Sequence, residues 1–481
     1  MRRMETDVVV VSAGTAGLAA AVAAAQKGAR VISLEKSNRT GGTAIQGTGP
    51  FAVESRLQKL KQLTLTREEA FKIYMDFNHW SVNARLVKTL IDRSAGVIKW
   101  LEGMGLAFMD VGSHGPGNNY TMHIPDAPEK GPGQIGRGAT MMKILADRAE
   151  ELGVQVLLQT PVREILKKNG RIAGVVAEDK SGEEIRVKAG AVIIATGGVG
   201  GGFISWLPLA GDGIRMAAEV GADVTEPAPP VRAATSGSRL PRGGTYFSDG
   251  FFYSVIFTFQ QPGLLMLNQF GERFTNEEFG ANAITTQKDE TAFTIFDEDT
   301  KRYFIEEGFD VAPAGFQVPI TDAGNFDAEL KQILDRGSKN IFVADSIEDL
   351  AAKTGIELDS LRRNLDEYNR MCETGRDTYF NKNPRYLRPV KQPKFYVNRR
   401  IGIGPMSHKV WEGIKINHKT EVLTKDFEVI PGLYAAGIDA ACNVYRDVYP
   451  MILPGTAMGF ALGEGCIAAE SAVEYIKTFG R

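Results

Sequence analysis

The stretch VVVVSAGTAGLAAAVAAAQKGARVISLEKS, Val8 to Ser37, constrains the fold more than any other part of the chain. A β-branched run, Asp7–Val11, meets a glycine-punctuated turn, then an alanine-rich segment, Gly14–Gly28, then a second apolar run, Arg30–Leu34. The pattern predicts a β-α-β unit. Its turn follows G-x-G-x-x-G at Gly14 and Gly17, with Ser12 where the first glycine belongs. In that motif Gly14 lets the backbone approach a pyrophosphate and Gly17 lets the helix pack closely on its strand. The helix N-terminus adds N–H donors and a partial positive charge. Glu35 closes the second strand, where a carboxylate binds ribose hydroxyls. A tight strand–helix turn in any α/β domain satisfies the same residues, so at this point both readings stand.

Downstream, amphipathic helices are predicted near Arg67–Asn78 and Asn83–Gly103, followed by a long Gly/Pro/His/Asn-rich loop, Gly112–Gly138. Such a loop is uncommon unless it is functional or mobile. Helix returns at Arg137–Leu152, strand at Val154–Thr160, and a hairpin over Arg171–Ala189 turns at Lys180-Ser181-Gly182. AVIIATGG, Ala191–Gly198, is a buried strand ending in glycines, and Gly211–Asp223 opens another helix. The β-α rhythm stops near Pro227 and resumes at Ile430, before a closing helix over Ala457–Thr478. The expected organisation is a first dinucleotide-domain segment at 1–235, an inserted domain at 236–390, and a C-terminal return at 391–481.

The 481 residues suffice for two or three domains. A net charge of −2 gives no reason to expect a nucleic acid partner. No apolar run approaches the length of a membrane span. Three cysteines, Cys372, Cys442 and Cys466, and five scattered histidines show no metal-ligand spacing. The expectation is a cytoplasmic protein with no metal of its own.

Further motifs carry a resemblance. EKSNRTGGTAIQGTG, AGAVIIATGG, GDGIRMAAEVGA, QPGLLMLNQFGERFTNEE and IPGLYAAG with LPGTAMGFALGEGCIAAE occur in the order found in the fumarate reductase/succinate dehydrogenase flavoprotein superfamily. The chain resembles that superfamily over nearly its whole length, including SLRRNLDEYNRM, typical of the capping domain. The resemblance implies an α/β fold, a Rossmann-type FAD-binding domain with an inserted α+β capping domain, and substrate held between the two over the flavin. It implies that Ala13, Gly14, Thr15, Ala16 and Gly17 contact the pyrophosphate, Glu35 the adenosine ribose, and Val162 the adenine. Lys36, Gly41, Gly42 and Thr43 would lie along the diphosphate and flavin, with Ala195, Thr196 and Gly197 near the adenine side and Asp212 near the ribityl chain. Gly47, Gly437 and Asp439 belong to the same set. Gly455, Thr456 and Ala457 open the last helix toward the flavin O2, where a helix N-terminus stabilises the charge of a reduced flavin. Relatives that attach FAD covalently carry a histidine where Gly42 stands, so non-covalent FAD is expected.

The positions that clamp a dicarboxylate in true fumarate reductases are changed. GERFTNEEFGANAITTQ offers Phe279, Ala281 and Asn282 where a proton-donating arginine belongs. The substrate histidine falls on Lys409, beside His408, and the second clamping arginine on Ile452. NVYRDVYPMILPG instead resembles the 3-ketosteroid dehydrogenase branch, where tyrosines polarise a ketone and move a proton. Candidate catalytic groups are therefore Tyr449, Arg446, Tyr120, His408 and Tyr445. Packing would equally account for Tyr445 and Tyr449, solvent or a neighbouring acid for Arg446, and a structural hydrogen bond for His408. Arg273 and Glu277 are expected to hold the cap together.

The leading expectation is an FAD oxidoreductase that introduces or reduces a C=C bond conjugated to a carbonyl, on a ketone-like or monocarboxylate substrate. The alternatives are a fumarate-like enoate reductase, and a degenerate flavin-binding electron-transfer subunit. In each case electrons pass to or from a separate donor or acceptor.

Overall fold

The computed structural model describes residues 1–113, 119–127, 137–200, 209–225, 252–311, 322–401, 408–409, 413–446, 450 and 452–479. The chain divides into two units.

The first unit is built on a mixed sheet. Its core is the strand β1, Arg2–Val11, parallel on one side to β2, Val31–Leu34, and on the other to the strand Glu184–Ile194. Outward from these lie Gln155–Leu157 beside β2, and Val429–Ala435 beside the strand Glu184–Ile194, both parallel. The four valines Val8–Val11 are buried on both faces, as a central parallel strand requires. The helix α1, Thr15–Gln26, is buried from Ala16 to Ala24. Its alanines let it lie tightly against the closing helix, Thr456–Phe479: a Cβ on Gly465 would stand 2.4 Å from Ala16 O. Small residues on both helices thus produce the close approach that a longer side chain would block.

Several strands depart from the sequence expectation, two of them beside this sheet and the long loop. Val162–Lys168 pairs with Arg171–Glu178, extending the expected hairpin to three antiparallel strands. Met122–Pro125 pairs with Phe108–Gly112 inside the stretch read as loop. Its sequence, MHIP, has no alternation to reveal it because all four residues are buried.

The second unit holds a four-stranded antiparallel sheet in the order Leu265–Leu267, Thr291–Asp297, Phe395–Ile401, Ile341–Ala344, with helices such as Leu358–Thr374 packed on it. The strand Phe395–Ile401 lies between two partners of this sheet, so the inserted unit extends past the expected limit at residue 390. Within the unit, Arg273 makes bidentate bonds to Glu277 (2.9 Å each) and Asp377 (3.0 Å each), all three side chains being buried. Burial acts to raise the Asp377 carboxyl, yet the Arg273 guanidinium holds it well below the usual carboxylate range. Lys382 Nζ, 3.2 Å from Glu277, completes the network. The pair Arg273 and Glu277 therefore serves the structure of the inserted unit.

Candidate active site

The first turn answers for its missing glycine. Ser12 stands at φ +97°, in the region that favours glycine, and its N–H donates to Leu34 O at 2.8 Å. Its hydroxyl donates to Glu35 Oε2 at 3.0 Å and accepts from Gly14 N–H at 3.3 Å. Glu35 also accepts from Ala13 N–H (2.8 Å) and Ser37 N–H (2.7 Å), so the turn and the end of β2 are tied through one carboxylate.

The two remaining glycines differ in what demands them. A Cβ on Gly17 would lie 2.2 Å from Ser12 O, so helix–strand packing requires glycine there. A Cβ on Gly14 would meet nothing closer than Ser12 Oγ at 3.7 Å, and its φ of −80° suits any residue. The protein leaves room beside Gly14 that a methyl would fill, which fits a ligand lying against the backbone. No side chain caps α1, and its first turn carries no acid, so its N–H donors face that same room.

A second glycine turn lies beside the first. Gly41 N–H donates to Ala13 O at 2.8 Å, and a Cβ on Gly42 would lie 3.2 Å from Gly14 Cα. Gly42 opens the short helical turn Gly42–Gln46, which includes half-buried Thr43. A Cβ on Gly47 would strike Met458 Cε at 2.3 Å, so the closing helix fixes this loop as well.

On the opposite flank, Lys36 Nζ pairs with Asp212 Oδ2 at 2.5 Å, and Thr196 Oγ1 accepts from Gly213 N–H at 3.1 Å. Asp439, wholly buried, accepts from Thr196 N–H, Thr196 Oγ1 (3.0 Å), Gly197 N–H (3.2 Å) and Gly198 N–H (3.1 Å). Burial pushes its carboxyl up to about 6 against the pull of those bonds. Ala195 N–H donates to Val11 O at 3.0 Å, placing this turn beside the end of β1. Gln159 and Thr160 N–H bond the carbonyls of Ser37 and Glu35, which brings the segment leading to Val162 alongside Glu35.

The other end of the site is the turn before the closing helix. Gly455, at φ +88°, accepts from Phe51 N–H at 2.9 Å, and a Cβ there would lie 2.7 Å from the same nitrogen. Asn119 Nδ2 donates to Ile452 O and Thr121 Oγ1 to Pro454 O, each at 2.9 Å. Tyr120, half-buried between them, has its own carbonyl held by Gln58 Nε2 at 2.7 Å. Both neighbours of Tyr120 are thus clamped to the turn carrying Gly455, Thr456 and Ala457. Arg446 is exposed, whereas Tyr445 is only 3% exposed and packs in the core that contains Tyr74 and Phe460. His408 and Lys409 form a short strand with Gly200 and Val199. Tyr449 lies outside the described residues.

A family profile described as FAD binding domain matches residues 7–451. The chain belongs to this FAD-binding family. The vinyl phenol reductase of Lactiplantibacillus plantarum is 31% identical, covering 98% of this chain and 96% of the relative. The cytochrome-type fumarate reductase of Shewanella frigidimarina is 28% identical over 98% of this chain and 77% of the relative. Among solved structures, a 3-ketosteroid Δ4-(5α)-dehydrogenase from Rhodococcus jostii superposes with a TM-score of 0.74 at 21% identity, over 98% of this chain and 97% of that one. It shares the fold: an FAD-binding domain of α/β type carrying a capping domain.

In this FAD-binding framework one buried acid escaped the sequence reading. Glu464, on the closing helix and 1% exposed, accepts from Gly437 N–H at 2.7 Å. The signal was present, a single carboxylate in the otherwise small and apolar run FALGEGCIAA.

Proposed function

We propose that this chain is an FAD-dependent oxidoreductase that adds or removes two hydrogens across a C=C bond conjugated to a carbonyl or to a phenol ring. Its substrate class is a ketone-like or singly charged alkene. The observation that carries this reading is the turn 452–455: Ile452, at the place of a clamping arginine, packs against the apolar core, and Tyr120 is held beside it. A second carboxylate would find no cation at Ile452. The name of the vinyl phenol reductase relative, a C=C reductase of an uncharged substrate, supports the same choice.

Bound FAD supplies the hydride, or takes it, at flavin N5. Gly14 and the uncapped start of α1 would hold the diphosphate, with Gly17 packing the helix on its strand, while Glu35 would receive the ribose. The Gly455 turn aims the start of the closing helix at the flavin edge. Tyr120 hydrogen-bonds the substrate oxygen as negative charge grows on it. Arg446 orients a single carboxylate and, with Tyr449, carries the proton that joins the carbon next to the one receiving hydride. Buried Tyr445 is assigned to packing. Gly42 has no side chain to bond the flavin, which supports non-covalent FAD. The free thiols Cys372, Cys442 and Cys466 support a cytoplasmic setting, and a separate electron donor or acceptor completes the cycle.

Turnover with a reduced viologen donor tests this. An enone or vinyl phenol should gain two hydrogens, both of them deuterium in D2O, because the viologen supplies only electrons. Tyr120→Phe should lower kcat about a hundredfold while FAD content is unchanged. Equal turnover of fumarate would remove the reading.

A further inference from the structure

Glu464 is the acid that the account so far leaves without a role. Its Oε2 accepts from Gly437 N–H at 2.7 Å, and its Oε1 is buried with no hydrogen-bond partner among the described residues. The side chain is 1% exposed. Gly437 has φ +72°, and a Cβ on it would lie 3.0 Å from Ala16 Cβ and 3.7 Å from Ala461 Cβ. The carboxyl therefore sits where the glycine turn after the strand Val429–Ala435 meets the start of α1. A buried polar atom left unbonded in a native chain calls for an explanation, because so few are tolerated.

We propose that Glu464 is a cofactor-binding residue: a neutral carboxylic acid that keeps Gly437 N–H on one oxygen and donates the O–H of the other to an oxygen of the diphosphate–ribityl stretch of FAD.

Three observations converge on this. The first is the orphaned Oε1 beside a helix start that no side chain caps. The second is the charge of the surroundings. Among the described elements packed on the closing helix, α1 carries no titratable side chain and the strand Val429–Ala435 brings Tyr434. Ala84–Glu102 brings Arg93, held by Glu470, and Lys88, held by Asp92. The strands β1 and Glu184–Ile194 carry their charges only ahead of Val8 and Ala189. The turn Gly437–Asn443 adds Asp439 and Cys442. None is a cation bonded to Glu464, so the Gly437 N–H alone favours the ionised form, against the burial that opposes it. The third is burial, which pushes the Glu464 carboxyl up to about 8 and leaves it protonated at neutral pH. An ionised acid would repel a diphosphate, whereas a protonated one presents the donor that a phosphate or hydroxyl oxygen accepts. The inference rests on FAD being the cofactor.

Infrared difference spectra of apo-protein and FAD-loaded protein test the contact directly. The expected result is a carboxylic-acid C=O band that moves when FAD binds and is missing from Glu464→Gln. Glutamine offers the same acceptor and donor, so Glu464→Gln should bind FAD within about threefold of the unaltered protein. Glu464→Met, which offers neither, should bind at least about tenfold more weakly, one decade being about 1.4 kcal/mol. A band that stays fixed on binding, no such band, or Glu464→Gln binding more than about tenfold weaker would each overturn the proposal. The flavin released by denaturation separates the two levels. FAD in the extract with an unmoved band overturns only the role of Glu464, while a flavin lacking the diphosphate overturns the cofactor reading with it.

Discussion

Ser12 and Glu35, 23 positions apart, are joined by a 3.0 Å hydrogen bond from the serine hydroxyl to Oε2. The bond shows what the serine adds at a glycine position: its hydroxyl anchors the Glu35 carboxylate and accepts from Gly14 N–H. Ser12→Ala keeps the unfavourable φ and loses both bonds, so it should destabilise the apo-protein by about 2 kcal/mol. Ser12→Gly loses the same bonds and relieves the backbone, recovering about 1 kcal/mol. Urea unfolding should rank the proteins wild type, Ser12→Gly, Ser12→Ala. An alanine variant as stable as wild type would deny the bond any energetic weight.

Gly14 and Gly17 should separate binding from folding. Gly14→Ala places a methyl in open space at an ordinary φ, so the apo-protein should unfold within about 1 kcal/mol of wild type. FAD affinity should fall at least about tenfold, because the methyl occupies the place proposed for the diphosphate. Gly17→Ala drives a Cβ to 2.2 Å from Ser12 O and should cost about 3 kcal/mol of stability or abolish folding. Thermal melts and flavin-fluorescence titration distinguish the two.

Asp439 should matter to both. Its carboxylate gathers three consecutive backbone N–H groups and the Thr196 hydroxyl. Asp439→Asn turns donors toward donors and should cost about 3 kcal/mol, with a parallel loss of FAD. Thr196→Val, removing one donor to Asp439 and the acceptor of Gly213 N–H, should cost about 1–2 kcal/mol. Asparagine tolerated without loss would mean that the turn Thr196–Gly198 is held by other means.

His123 predicts an acid-labile contribution. It is wholly buried, with Nε2 2.7 Å from Ser55 Oγ and Nδ1 3.2 Å from Thr121 O. Burial lowers it from 6.5 to about 4, so the folded chain keeps it neutral where the unfolded chain protonates it. The unfolded state then binds more protons between these values. Stability from this group is full above about 6.5 and is lost, by about 1.4 kcal/mol per pH unit, as pH falls toward 4. His123→Asn should flatten that part of the stability–pH curve, and an unchanged slope would place the titration elsewhere.

Much of this was legible in the chain. The valine run, the alanine-rich helix and the glycine positions state the β-α-β unit because each has one steric solution. What stayed hidden has physical causes too. Met122–Pro125 is buried on both faces and so lacks period-2 alternation. Phe395–Ile401 opens on four buried residues, Phe395 to Asn398, and shows no alternation, so nothing in it reveals that its partners are Thr291–Asp297 and Ile341–Ala344 rather than the first sheet. Tyr445 is identical in type to a catalytic phenol, and only its burial in the core assigns it to packing. Glu464 was overlooked because a carboxylate on a helix is ordinarily a solvated one, and its environment exists only once Gly437 and Ala16 have come together.

The proposed function turns on which alkene accepts hydride at this site. The most direct measurement is anaerobic: the protein-bound FAD is reduced with dithionite, and recovery of the oxidised flavin band is followed after adding vinyl phenol, a steroid 4-en-3-one, a cinnamate-like enoate or fumarate. The oxidised band should recover with one or more of the first three and not with fumarate. Recovery with fumarate alone would contradict the proposed function, showing that two carboxylates are held without an arginine at Ile452.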